Sequence, residues 1–228
     1  MESSGCSVAG CFGCIVFLTL TATALLLTAG RAEAAEPMIH NIFTPVDEHC
    51  HGSSVVECPN GDLLAVWYQG SGERRAPDVR LLGARLREGG AAWSAPFPMA
   101  DTPAFPDCNP VLYIDAAQRL WLFWVAVPAE RWECSILKYR RAEEYQEDGP
   151  PRWSWQDVIL LKPGEAFAET VDTQFRENRR PEGMWAEYAP PYARMIAEAS
   201  RDAAKRQTGW MTRIHPLALP SGRILLPL

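Results

Sequence analysis

One short segment is written three times in this chain: Val56 to Trp67 (VECPNGDLLAVW), Tyr113 to Trp124 (YIDAAQRLWLFW) and Leu217 to Leu228 (LALPSGRILLPL). Each reads as a strand, a tight polar turn and a second strand. The turn residues Gly61, Gln118 and Gly222 lie 57 and 104 positions apart, and a Trp-Ser pair follows the first two turns after 32 and 35 residues, at Trp93-Ser94 and Trp153-Ser154. A period near fifty built from strand and turn signals is the signature of β-propeller blades, in which one four-stranded sheet is repeated around an axis. A ring needs roughly four to eight such blades, more than 228 residues supply. The expected class is therefore all-β: about two and a half blades of a six-bladed-type β-propeller, the N-terminal part of a larger ring, with a helical insertion.

Residues Ile15 to Leu27 are apolar or Thr throughout and are followed by Ala32-Glu33-Ala34. A hydrophobic run and a small-residue cleavage site predict a secretory signal over residues 1–34, cut after Ala34, with an uncleaved anchor as the alternative because the first residues carry no Lys or Arg. The domain then occupies residues 35–228, and the protein is expected to be secreted or periplasmic. Removing Glu2, Glu33 and Arg31 takes the formal charge from −6 to −5 and leaves no dense basic stripe, so the footprint of a nucleic-acid binder is missing. Of seven cysteines, Cys50, Cys58, Cys108 and Cys134 remain in the mature chain. Four cysteines allow three disulfide pairings, and four small buried thiols are the equal alternative.

The first blade is placed from about His51 to Pro96, with strands Ser53 to Glu57, Leu63 to Tyr68 and Asp78 to Leu86, then a Gly89-Gly90 turn into Trp93. Pro-Asn-Gly-Asp between apolar runs is hairpin chemistry, because Asn and Gly accept the positive φ such turns need. The second blade runs from about Asn109 to Leu161, with strands at Pro110 to Ile114, Leu120 to Ala126, Ser135 to Arg140 and Trp155 to Leu161. Met38 to Phe43 is expected to be an isolated strand. Between about 163 and 209 the pattern breaks, and Tyr192 to Lys205 places Met195, Ala199 and Ala203 at helical spacing, which predicts a helix in an insertion between blades.

With these motifs in place the chain resembles the sialidases and the wider group of BNR-repeat, sialidase-like propellers. The stretch from His51 to Leu64 is similar to that family's first strand-turn-strand, Asn109-Pro110-Val111-Leu112 to its next inner strand, and Gly222-Arg223-Ile224-Leu225-Leu226-Pro227 to the strand opening the third blade. The family's Asp-box survives only as Glu88, Gly90 and Trp93 and as Asp148 and Trp153. His51 stands where the family carries the first of three arginines that clamp a substrate carboxylate, so a planar bidentate cation is replaced by a titratable one. A sugar other than sialic acid, such as a uronic acid, becomes plausible.

The resemblance implies roles for particular residues. Asp78, 27 residues after His51, resembles the acid/base aspartate that protonates the leaving oxygen and then activates water. Glu73 is a second candidate acid or acceptor. His51, Asn109, Arg213 and His215 are the expected substrate-binding residues, and Trp132 and Trp185 are candidates for stacking on a sugar face. The family's tyrosine nucleophile and remaining arginines are expected in later blades. His49 and His51 share one face of an extended strand, but two histidines without a third ligand do not make a metal site, and no cofactor is expected. The reading is an exported glycoside hydrolase acting on a glycan or sugar-acid substrate. Its rival is a non-catalytic glycan-binding propeller, favoured by the lost arginine and opposed by the acid at Asp78.

Overall fold

The structure is a computed structural model that describes residues 39–178, 183, 187 and 189–228. The secretory segment with its expected cut after Ala34, Met38 and Trp185 lie outside the described residues. Two four-stranded antiparallel sheets follow one another in simple meander order: β1 (His49–Glu57), β2 (Leu63–Gly70), β3 (Arg80–Leu86) and β4 (Phe97–Ala100), then β5 (Asp107–Ile114), β6 (Leu120–Ala126), β7 (Ile136–Ala142) and β8 (Trp155–Val158). Two helices, α1 (Glu165–Glu177) and α2 (Ala189–Arg201), lead to a two-stranded unit of β9 (Leu217–Ala218) and β10 (Ile224–Leu225). The described fold is mostly β, as a propeller-like chain requires.

The three written repeats fold into one turn. Gly61 N–H donates to the Cys58 carbonyl and Cys58 N–H to the Asp62 carbonyl; Gln118 donates to Asp115 and Asp115 to Arg119; Gly222 donates to Leu219 and Leu219 to Arg223. In each case the donor before the last residue has positive φ, 81° at Gly61, 59° at Gln118 and 79° at Gly222. That is the hairpin built on a type I turn followed by a left-handed residue, where glycine is preferred. Gln118 adopts the conformation because Asp115 compensates: its carboxylate accepts from the N–H groups of Ala117 and Arg119, the Arg119 guanidinium and the Trp121 indole. The Trp-Ser markers are equivalent too, with Ser94 N–H donating to Arg85 and Ser154 N–H to Arg141, both at 2.8 Å.

Alternation along β2 sends Leu64, Val66 and Tyr68 to one face and Trp67 to the other. The first set joins the main core with Leu81, Met99, Cys108, Leu112, Leu122 and Trp124, so the two sheets share one apolar interface across which β5 packs on β1, β2 and β3. Polar bonds stitch its edges. Leu112 N–H donates to Ser54 Oγ at 3.1 Å, Arg140 to the Met99 carbonyl at 2.6 Å, and the buried Arg85 to the Tyr145 carbonyl while it faces Asp62 at 3.5 Å. Trp124, fully buried, takes Lys138 and Arg140 over its ring and donates to Asp107 at 2.7 Å. The far face of the second sheet, with Val111, Tyr113 and Phe123, receives Ile224 and Leu226 of the third unit.

Three expectations are corrected. The first sheet does not end near Pro96: its outer strand is Phe97–Ala100, which places Pro98 on an edge where a missing N–H is tolerated. Residues 39–43 form no strand; Ile42 and Phe43 pack on the Trp67 face instead, Phe43 stacking on Trp67 at 4.8 Å. The expected Tyr192–Lys205 helix runs Ala189–Arg201 and is paired with α1. An Arg201–Asp172 ion pair at 2.6 Å joins the helices, and buried Arg206 ties their base by donating to the Pro163 and Ser200 carbonyls and to Glu165. The four cysteines are free thiols.

Candidate functional site

The antiparallel order brings the start of β1, the β2–β3 loop (residues 71–79), the start of β5 and the β6–β7 loop (residues 127–135) to one end of the sheets. The inner strands β1 and β5 both carry a bulge there. The register slips between His51 and Ser54 and again between Cys108 and Val111, around Gly52 (φ 60°) and Asn109 (φ 52°). A Cβ on Gly52 would stand 2.7 Å from the Tyr68 ring, so glycine is required both by the backbone and by the packing. The slip aims His51 at Tyr68, its cross-strand partner.

Tyr68 is the centre of this end. Its ring has His51 edge-on at 5.6 Å and His49 at 5.9 Å, and its hydroxyl donates to Glu73 Oε1 at 3.0 Å. The other oxygen of Glu73 accepts from Arg74 at 3.3 Å, and Arg74 lies over the Trp132 ring at 5.5 Å. Burial, followed by the bond to Glu73 and its charge, pushes the Tyr68 phenol above its ordinary range, while Arg213 is close enough for its charge to oppose the rise. Cys108, beneath the same group, is pushed up to about 12 by burial and then by the charges of Glu73 and Asp107. A fully buried phenol with this shift is a hydrogen-bond donor at neutral pH, not an anion.

Asp78 closes the β2–β3 loop. Ser71 donates its hydroxyl to one carboxylate oxygen at 2.7 Å and its N–H to the other at 2.9 Å. These two bonds hold the exposed Asp78 carboxyl below the usual range, so it is ionised at neutral pH. Of the sequence-derived residues, the structure gathers His51 and Glu73 around Tyr68, leaves Arg213 near enough for its charge to act on the phenol, and sets Asp78 on the same loop as Glu73. Asn109 is buried in the second bulge, its amide donating to Met211 Sδ at 4.0 Å. His215 stands apart, edge-on to Tyr113 at 5.5 Å, with Nδ1 donating to the Pro216 carbonyl at 2.8 Å.

Two members of the site escaped the sequence reading. Tyr68 sits in phase with Leu64 and Val66 and reads as core, which it is; only its hydroxyl belongs to the polar end. Arg74 lies in a loop of mixed charge with no periodic signal. Counting from the turn residues, His51, Cys108 and Thr212 occupy the same place ten positions earlier, which sets Arg213 one residue past the position equivalent to His51, although residues 211–216 form no strand.

A pair of four-stranded meanders joined face to face, with inner-strand bulges turning polar residues toward one end, defines a repeat protein of the propeller-like class. The family model for the BNR repeat-like domain matches residues 61–175, just over half of the chain, and the chain belongs to this family. The match spans Glu73, Asp78 and Asn109, with His51, Arg213 and His215 on either side of it. No curated protein matches the chain.

Proposed function

We propose that this protein is an exported, sialidase-like glycoside hydrolase that cleaves glycans ending in an acidic sugar, and that its sheets belong to a six-bladed-type ring. The observation that carries the reading is the grouping of His51 against the Tyr68 ring and of Glu73 on its hydroxyl, with Arg213 near enough for its charge to act on the phenol, at the end where the inner strands begin. BNR repeat-like membership supports a sialidase-like assignment. Arg213 and His51 face the anionic group of the sugar, Glu73 accepts a sugar hydroxyl while it orients Tyr68, and Asp78 serves as acid/base. Asp78 is ionised in the free protein, and the negative charge of a bound acidic sugar raises its proton affinity. It takes up a proton from solvent, hands that proton to the leaving oxygen and, ionised again, accepts a proton from the attacking water. Asn109 shapes the floor of the site through the bulge, and His215 lies at its margin.

The test is Asp78→Asn with a fluorogenic glycoside of a sugar acid as substrate. Turnover is expected to fall by about 10²-fold or more, the range of a lost general acid/base, with circular dichroism and thermal midpoint unchanged. Full turnover in the folded variant removes Asp78 from the role. N-terminal sequencing of exported protein is expected to begin at Ala35.

A further inference from the structure

We propose that Asn60 is a modification site: deamidation at Asn60-Gly61 sets a second carboxylate against Asp62 and loosens the clasp by which the first sheet holds the β7–β8 loop (residues 143–154). Where glycine follows asparagine, no side chain hinders the approach of its backbone nitrogen to the asparagine side-chain carbonyl carbon. The chain has four asparagines, and only Asn60 precedes glycine. Asn41 and Asn178 precede Ile42 and Arg179, and Asn109 precedes Pro110, whose nitrogen carries no hydrogen to give up. Asn60 is exposed in the β1–β2 turn, followed by Gly61 at φ 81°. In the reaction the Gly61 nitrogen bonds to Asn60 Cγ, the Cγ–Nδ2 bond breaks, and the proton lost by the glycine nitrogen leaves with the side-chain nitrogen as ammonia. Water then opens the cyclic imide at either carbonyl, giving aspartate or isoaspartate.

The surroundings of this turn give the product its consequence. Asn60 Nδ2 donates to Asp62 Oδ2 at 3.0 Å, Asn60 Oδ1 accepts from the Asp62 N–H at 3.3 Å, and Gly61 N–H donates to the Cys58 carbonyl at 2.9 Å. These bonds must open before the ring can close. Asp62, only 2% exposed, is the pivot of the clasp: it accepts from Glu88 N–H at 3.0 Å and from Arg87 Nη1 at 2.5 Å, and the Arg85 guanidinium stands 3.5 Å away. The two arginines carry the hold across to the second sheet. Arg87 donates to Asp148 and to the Gln146 carbonyl, and Arg85 to the Tyr145 carbonyl. An acid at position 60 removes the amide donor and puts a like charge within hydrogen-bond reach of the Asp62 carboxylate, where both compete for Arg87. Asp148 belongs to the other Asx-Gly pair of the chain, Asp148-Gly149, so one guanidinium stands between both places where glycine leaves imide formation unhindered. The clasp lies at the end of the sheets opposite Tyr68, because the β1–β2 turn and the β7–β8 loop follow the far ends of β1 and β7. Deamidation therefore acts on the union of the two sheets and not on the polar end.

The experiment incubates the full chain and its Asn60→Ser, Asn60→Asp and Arg87→Gln variants in mildly alkaline buffer at body temperature, with peptide mapping by mass spectrometry and thermal melts at intervals. In wild type, Asn60 is expected to convert from amide to acid before Asn41 and Asn178, with Asn109 unchanged, and the melting midpoint to fall as conversion rises. Freshly prepared N60D should melt roughly 2–4 °C below wild type, the scale of one lost interaction in a chain of this size. Part of that deficit should return at high salt, because screening weakens the repulsion between the two carboxylates. N60S brings no charge, so it stays closer to wild type and holds its midpoint through the incubation. R87Q frees Asp62 and Asp148 and should convert Asn60 several-fold faster. Asn60 left intact while Asn41 or Asn178 converts overturns the inference, and so does N60D melting with wild type or with N60S at both low and high salt. Should R87Q fail to fold, the conversion order in wild type and the salt dependence of N60D still decide the matter.

Discussion

At the same level of their inner strands, the two sheets hold different pairs. The first faces His51 with Tyr68, and the second faces Cys108 with Val125. The turns, the bulges at Gly52 and Asn109, the Trp-Ser closures and the strand order are shared, so the frame is indifferent to what stands at this position. The chemistry is not. The first sheet carries a buried phenol anchored to Glu73 beneath two imidazoles, whereas the second is sealed by a thiol held neutral by burial. Repetition supplies a scaffold, and a few exchanges at equivalent places convert one copy from packing into recognition.

The contrast can be broken most severely from the sealed side. Trp124→Ala removes the largest fully buried side chain of the interface and takes from Asp107 one of its three donors, leaving those of Thr102, and about 3–5 kcal/mol of stability should be lost in urea denaturation. A loss below about 1 kcal/mol would mean that the sheets do not share a core. The bulges come next. Gly52→Ala meets both positive φ and the Tyr68 ring and should cost about 1–3 kcal/mol, while Asn109→Gly relaxes a left-handed asparagine and should change stability by only a few tenths of a kcal/mol. Turnover of the Asn109→Gly variant is expected within about threefold of wild type; a larger loss at constant stability would make Asn109 a direct ligand contact.

How much of this was legible depended on whether the signal was local. Turns at Gly61 and Gly222 declare themselves through glycine and proline, and the turn at Gln118 is readable only through Asp115, whose carboxylate does the work that glycine's freedom does elsewhere. β4 was hidden by its four-residue length and by Pro98, and α1 by the β-branched and aromatic residues Val171, Thr173 and Phe175 within it. The resemblance marked His51, Asp78, Glu73 and Arg213 in advance. It gave no sign that Glu73 turns back onto Tyr68, because that contact is made by a loop whose closure rests on the Ser71–Asp78 clamp. Arg213 comes near enough for its charge to act on Tyr68 only after the helical insertion has returned the chain.

The smallest effect sharpens the reading of the first sheet's loop. Ser71 lowers the proton affinity of Asp78, so Ser71→Ala should raise the Asp78 pKa toward the ordinary carboxylate value. The water-activating step, which depends on ionised Asp78, then loses activity at a higher pH as the solution is acidified, and the acidic limb of the pH profile of that step moves upward. Because the carboxylate is exposed, thermal stability at pH 7 is expected to stay within about 0.5 kcal/mol. An unmoved acidic limb would separate Asp78 from the titrating base.

The central claim is that the polar end around Tyr68 is one ligand site. The direct measurement is to follow the ring resonances of His40, His49, His51 and His215 by NMR while glucuronic acid or N-acetylneuraminic acid is added. The account predicts that His49 and His51 shift together and saturably while His40 and His215 move little. Saturable binding that leaves His51 unmoved, or that shifts His215 alone, would contradict it.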